Sequence, residues 1–98
     1  MKELIVTASA RFEILEAVAW YDAIDINLGD DLLAKIEDGL VLIQERPVMW
    51  PPYVENYRHY ILPRFPYSII YHELPQSVEI LALAHHKRKP LYWLDSDV

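Results

Sequence analysis

The chain has 98 residues, enough for one domain and too few for two. Hydrophobic residues make up 53% of it and cysteine is absent, which excludes disulfides and thiolate metal sites. The formal net charge of −6 argues against a general nucleic-acid binder.

The charge is unevenly spread. Residues 1–45 carry three bases against ten acids, a net of −7, and residues 46–98 carry six bases against five acids, a net of +1. An anionic partner would therefore meet the C-terminal part. The apolar run Leu4-Ile5-Val6 near the start is too short for a signal peptide or a membrane span. The expectation is a single cytoplasmic domain over residues 1–98, with no membrane contact.

In chain order, Glu3 to Val6 reads as a first strand. Thr7 or Ser9 then offers a hydroxyl to cap a helix over Ala10 to Ile24. Phe12, Leu15, Val18 and Ala19 recur at helical steps and are the expected buried stripe. Asn27-Leu28-Gly29-Asp30-Asp31 reads as a break and a new cap. Leu32, Leu33, Ile36, Leu40 and Ile43 mark a second helix, which ends near Arg46, ahead of Pro47. Two helices joined by a short break form an antiparallel hairpin. Pro47 to Pro52 reads as an irregular connection. Three strands follow: Tyr57 to Leu62, Phe65 to Glu73 and Val78 to His85, the last two joined by a turn at Leu74-Pro75-Gln76-Ser77. Val78-Glu79-Ile80-Leu81-Leu83 departs from strict alternation, which predicts a strand covered on both faces. The expected fold class is α+β, in the order β-α-α-β-β-β, with the helical hairpin packed on a small, mostly antiparallel sheet.

Specific residues sharpen this order. Ala17, Trp20 and Tyr21 lie late in the first helix, and Leu28-Gly29 follows. Arg58, Arg64-Phe65-Pro66-Tyr67, Ile69 and Tyr71 come next. The chain closes on Ile80-Leu81-Ala82, Ala84-His85, Arg88, Pro90 and Tyr92-Trp93. This combination, over about residues 3 to 93, resembles the RelE/ParE family of toxins from type II toxin–antitoxin systems, also described as plasmid stabilisation proteins. The resemblance implies a β-α-α-β-β-β toxin held inactive by a cognate antitoxin that lays a helix or strand across an apolar groove. RelE-like members cleave messenger RNA on the ribosome without a metal. ParE-like members inhibit DNA gyrase by binding.

Read as chemistry, metal-free RNA cleavage needs an acid, a base and cations around the phosphate. His85, His86, Arg88 and Tyr92 are the candidate catalytic residues. Arg58, Arg64, Lys87 and Arg88 are the candidate target- or phosphate-binding residues. Against this, Arg58 and Arg64 are also placed to pair with acids such as Glu55 or Glu73, and the His-Lys-Arg-Lys run reads equally as a solvated turn. Trp20, Tyr21, Tyr67, Tyr71 and Trp93 are expected in the core. His59 and His72 are assigned no role. None of the four histidines has a recognisable metal-ligand spacing, so no metal and no cofactor is expected. The three to five available phosphate contacts fall short of the roughly six to ten of a strong binder, so free nucleic acid should bind poorly. The expected partners are an antitoxin and either gyrase or the ribosome. The acidic ending Leu94-Asp95-Ser96-Asp97-Val98 departs from the family pattern and points to a third reading, a non-toxic member that keeps only antitoxin binding. The antitoxin groove is expected between the hairpin and the sheet edge, with Leu28, Leu32 and Trp50 as candidate contacts.

Overall fold

The computed structural model describes residues 1–97, so Val98 at the end of the acidic tail lies outside the described residues. The chain begins with β1 (Glu3–Val6) and enters α1 (Ala8–Ile24) directly. Thr7 makes the transition: its Oγ1 accepts the Ala10 N–H at 3.2 Å, satisfying one of the free donors of the first turn. The break between the helices differs from expectation. It is the single residue Asp25, extended in backbone, which ends α1 and starts α2 (Ile26–Glu45). Its backbone N–H donates to the Tyr21 carbonyl, and its Oδ1 accepts the Asn27 N–H at 2.8 Å. The segment 27–31, expected as the break, is the first turn and a half of α2. A glycine stands at position 29 of this helix for want of space: a Cβ would lie 1.5 Å from Oδ1 of Asp22 on α1.

The rest of the chain forms β2 (Pro52–Val54), β3 (Tyr57–Ile61), β4 (Tyr67–Glu73), β5 (Ser77–His85) and a short 3₁₀ helix, Tyr92–Asp97. The five strands lie in the order β1-β5-β4-β3-β2, with β1 parallel to β5 and the other pairs antiparallel. Sequence reading missed β2, because paired prolines mark a connection. At the sheet edge, though, a proline needs no ladder donor. The turn before β4 holds Phe65 and Pro66 outside the strand. The broken alternation in β5 has a specific cause. The register shifts between Ile70, which faces Ala82, and Tyr71, which faces Ile80, so Leu81 is an extra residue in a bulge. Before the bulge Val78 and Ile80 point to the helices; after it Leu83 does, and Ala82 and Ala84 point away.

The sheet is covered on both faces. The helices bury one face around Leu32, Ile36, Ile43, Ile69, Tyr71 and Val78. The 3₁₀ helix covers part of the other, with Trp93 against Ile70 and Ala82. α1 corrects the expected stripe. Its inward residues are Ala10 and Ala17, with Ile14, Val18 and Tyr21 beside them, whereas Phe12 and Leu15 are 62% and 65% exposed. Trp20 is likewise mostly exposed, while Tyr71 and Trp93 are buried as expected. Leu32 is fully buried core and offers no groove surface. Gly39 lets α2 approach the sheet, since a Cβ there would stand 2.8 Å from the Tyr60 ring.

Candidate functional site

β5 outruns its parallel neighbour. β1 pairs only with Ser77 to Ile80, so the edge from Leu81 to His85 has no strand beside it. An open edge leaves backbone donors unsatisfied. Here a side chain fills the gap. Glu13 reaches from α1, and its Oε1 accepts the Leu83 N–H at 3.0 Å. Its other oxygen accepts from Arg88 Nη1 at 3.3 Å and, through a short bond, from the Tyr92 hydroxyl. The Arg88 guanidinium also lies over the Tyr92 ring, 3.6 Å from its centroid. One carboxylate therefore ties helix, strand and tail together. Burial, then the Glu13 bond, pushes the Tyr92 hydroxyl far above the usual tyrosine range, so it keeps its proton at neutral pH. Leu91, just before, holds a left-handed backbone at φ 61°, a conformation costing a branched residue about 1–2 kcal/mol.

On the far side of the tail is an open cleft of about 320 Å³ between the 3₁₀ helix and β3–β4. His86 reaches it, with Nε2 3.0 Å from the Ser68 hydroxyl of β4. His59 projects into it from β3, stacked on Tyr53 at 4.4 Å. Burial, and then the nearby His86, lowers the His59 pKa. His85 lines it too; its Nδ1 accepts the Lys87 N–H at 3.0 Å, and its ring meets Tyr67 edge-on. His59 was given no role from sequence, because an isolated strand histidine carries no local signal.

The structure thus brings His85, His86, Arg88 and Tyr92 to one end of the molecule, with Lys87 in the same turn, and separates Arg58 and Arg64 from them. Arg58 lies on the helix side of β3 and donates to the Trp50 carbonyl. Arg64, with φ 70° in the turn before β4, pairs with Asp31 of α2 at 3.2 Å. Neither pairs with Glu55 or Glu73; Glu73 instead takes Lys2 at 2.8 Å. Lys87 is exposed in the turn after β5. Two grooves flank the Glu13–Arg88 bridge. One contains Phe12, Leu81 and Trp93, the other Trp20, Tyr21 and Tyr67. Among the described residues no helix is long and apolar enough to cross a membrane, and no group of three or more ligating side chains is placed to hold a metal.

Comparison with known proteins agrees with this architecture. A solved structure of the chromosomal ParDE TA system from P. aeruginosa is similar at 18% identity, with a TM-score of 0.65 over 87% of this chain and 96% of that one. At that identity the likeness speaks for the fold. No curated protein matches the chain. The family model of the ParE toxin of type II toxin–antitoxin systems, parDE, matches residues 4–90. A match over so much of the chain shows that it belongs to the ParE toxin family of type II toxin–antitoxin systems.

Proposed function

We propose that this chain is the toxin of a type II pair, held inactive by a cognate antitoxin, and that it acts on a protein target such as DNA gyrase. Family membership supports the toxin role. The observation that carries the choice of a protein target is the dispersal of the arginines. A site that cleaves or grips a nucleic-acid backbone needs cations converging on one phosphate. Arg58, Arg64 and Arg88 are instead engaged by Trp50, Asp31 and Glu13 in three separate places. The net charge of −6 adds repulsion toward free RNA or DNA.

The antitoxin surface in this reading is the outer side of α1. Phe12, Leu15, Trp20 and Ile24 are all more than half exposed there, while the inner side is core. A helix apolar on both sides leaves a patch of the kind that marks a partner site. The grooves containing Phe12 and Trp20 would receive the apolar anchors of a helix or strand.

The test is induction of the gene alone and with its neighbouring reading frame, followed by assays on the purified complex and released toxin. The expected outcome is growth arrest relieved by the neighbour, a stable complex, and inhibition of gyrase supercoiling. The double variant Phe12→Ser, Leu15→Ser should weaken the complex at least about tenfold with little change in melting temperature, since both side chains are exposed. Messenger RNA cut on translating ribosomes would replace this reading with the RelE-like one, in which His85 and His86 are the acid and base. Tight antitoxin binding without growth arrest would identify a non-toxic member.

A further inference from the structure

The cleft beside the tail has a composition at odds with the rest of the chain. On a molecule of net charge −6, its described lining contains three histidines, Arg88 and Lys89, and no aspartate or glutamate. Cations without carboxylates in a concave, partly apolar site attract an anion. Two of these side chains are held in place by other contacts. Arg88 is held by Glu13 and Tyr92, and His85 is fixed by the Lys87 N–H and the Tyr67 ring. His59 and Lys89 remain, from β3 and the tail, and beside them His86, in the turn after β5, is bonded through Nε2 to the Ser68 hydroxyl of β4. Lys89 has no ion-pair partner among the described residues.

We propose that His59, Ser68, His86 and Lys89 form a binding site for a phosphate monoester. With His86 Nε2–H donating to Ser68 Oγ, the Ser68 O–H and the His86 Nδ1–H stay free, and with His59 and Lys89 they make four donors from separate elements, which match the three terminal oxygens of a tetrahedral anion better than the two coplanar oxygens of a carboxylate. Ile61, Ile70 and the Tyr53 ring line the same cleft and would take the organic group of the ester, favouring an aromatic one. The site draws on imidazoles, a hydroxyl and one lysine rather than on the dispersed arginines, and its test uses neither the toxin's target nor the antitoxin surface on α1.

The site has a predictable pH response. The groups facing the anion are Tyr53 from β2, His59 from β3, Ser68 from β4, His85 and His86 at the end of β5, and Arg88, Lys89 and Tyr92 from the tail. Among side-chain types of this kind, imidazole is the one that ordinarily changes charge near neutrality. In the free protein burial and His86 disfavour the charged form of His59. A bound dianion reverses that, so binding takes up protons and tightens as the pH falls.

The experiment is titration of the full chain with phenyl phosphate, inorganic phosphate and acetate, followed by calorimetry and by NMR of the histidine rings. Between about pH 8 and about 6.5 a phosphate ester stays largely dianionic, its second pKa being about 6. Phenyl phosphate should shift the His59 and His86 resonances saturably and tighten about three- to tenfold per falling pH unit. Inorganic phosphate should bind several-fold more weakly and acetate not measurably. Lys89→Ala, at an exposed position, should weaken binding at least about threefold, and His59→Gln with His86→Gln at least about tenfold. Absent shifts, shifts that survive the double glutamine change, unaltered affinity in Lys89→Ala, or acetate binding as tightly as phosphate would each overturn the proposal. Should the double variant not fold, Lys89→Ala and the acetate comparison decide.

Discussion

Replacing Glu13 by alanine removes three hydrogen bonds at once, and their weights can be worked out separately. The Leu83 N–H, on a strand residue 3% exposed, is left without its acceptor at 3.0 Å. An orphaned buried donor costs about 1–3 kcal/mol. The half-buried Tyr92 hydroxyl loses a bond to a charged acceptor, worth about 1.5–3 kcal/mol. The Arg88 pair adds at most about 1 kcal/mol, because the arginine side chain is 55% exposed and water screens it. The three share one carboxylate and do not add fully, so the expected loss is about 3–4 kcal/mol. That is a large share of the roughly 5–15 kcal/mol that holds a small domain together, and it should lower the melting temperature by more than about 10 °C. Glu13→Gln keeps one acceptor oxygen, for Leu83, but replaces the other by an amide NH2 that cannot accept from Arg88 or the Tyr92 hydroxyl, so about 1–2 kcal/mol is expected. Urea unfolding of wild type, Glu13→Ala, Glu13→Gln, Tyr92→Phe and the Glu13→Ala, Tyr92→Phe double variant closes a cycle whose coupling should be about 1–2 kcal/mol. A Glu13→Ala loss below about 1 kcal/mol, or a coupling indistinguishable from zero, would refute the view that this carboxylate fastens the tail.

Two other substitutions test the core. Gly39→Ala gains up to about 1 kcal/mol of helix preference, but its Cβ meets the Tyr60 ring at 2.8 Å and Ile69 at 3.1 Å between packed layers. The net should be a loss of about 1–2 kcal/mol by thermal unfolding, and a more stable variant would show that the α2–sheet contact is slack. Burial pushes the Tyr71 hydroxyl up to about 12, while its unfolded value is about 10, and the hydroxyl donates to the Pro47 carbonyl at 2.6 Å. The unfolded chain therefore ionises first. The stability tied to this group is full below about pH 10 and is lost as the pH rises toward about 12, by roughly 2–3 kcal/mol at most. Tyr71→Phe should be less stable at neutral pH by about 1 kcal/mol and lose less on moving to alkaline pH, as read by denaturant unfolding.

The element order was legible because hydrophobic period and breakers agree over most of the chain. α2 is the clearest case, since Leu32, Ile36 and Ile43 are apolar at helical spacing and all point inward. α1 misled for a physical reason. It carries two apolar sets, Ala10-Ile14-Ala17-Val18 inside and Phe12-Leu15 outside, and periodicity favours the bulkier side chains, which here face outward. A hairpin with one joining residue was unreadable because Asn, Gly and two Asp at 27–31 are ordinary helix breakers. They are accommodated here because Asp25 caps and Gly29 passes close to Asp22. Glu13 was missed altogether. Its partners lie 70 to 79 positions away, and no local pattern encodes that distance. A signal did exist: Glu13 stands three residues after Ala10 and four before Ala17, an acid on the helix's inner side, which needs a buried partner.

That acid changes how the C-terminal segment should be understood. His85 to Trp93 is cationic in sequence and invites a nucleic-acid reading, yet its arginine is neutralised from within by the acidic N-terminal part. What Arg88 achieves in the fold is to help hold Glu13 against an open sheet edge, where its Oε1 stands in for one acceptor of a neighbouring strand. The same carboxylate borders both grooves next to the exposed side of α1. In the proposed complex, a segment seated on Phe12 and Trp20 would lie against the residues that fix the tail. The position of Tyr92 and Trp93 would then be tied to occupation of α1. The histidine cleft lies on the opposite side of that tail, so its shape depends on the same fastening.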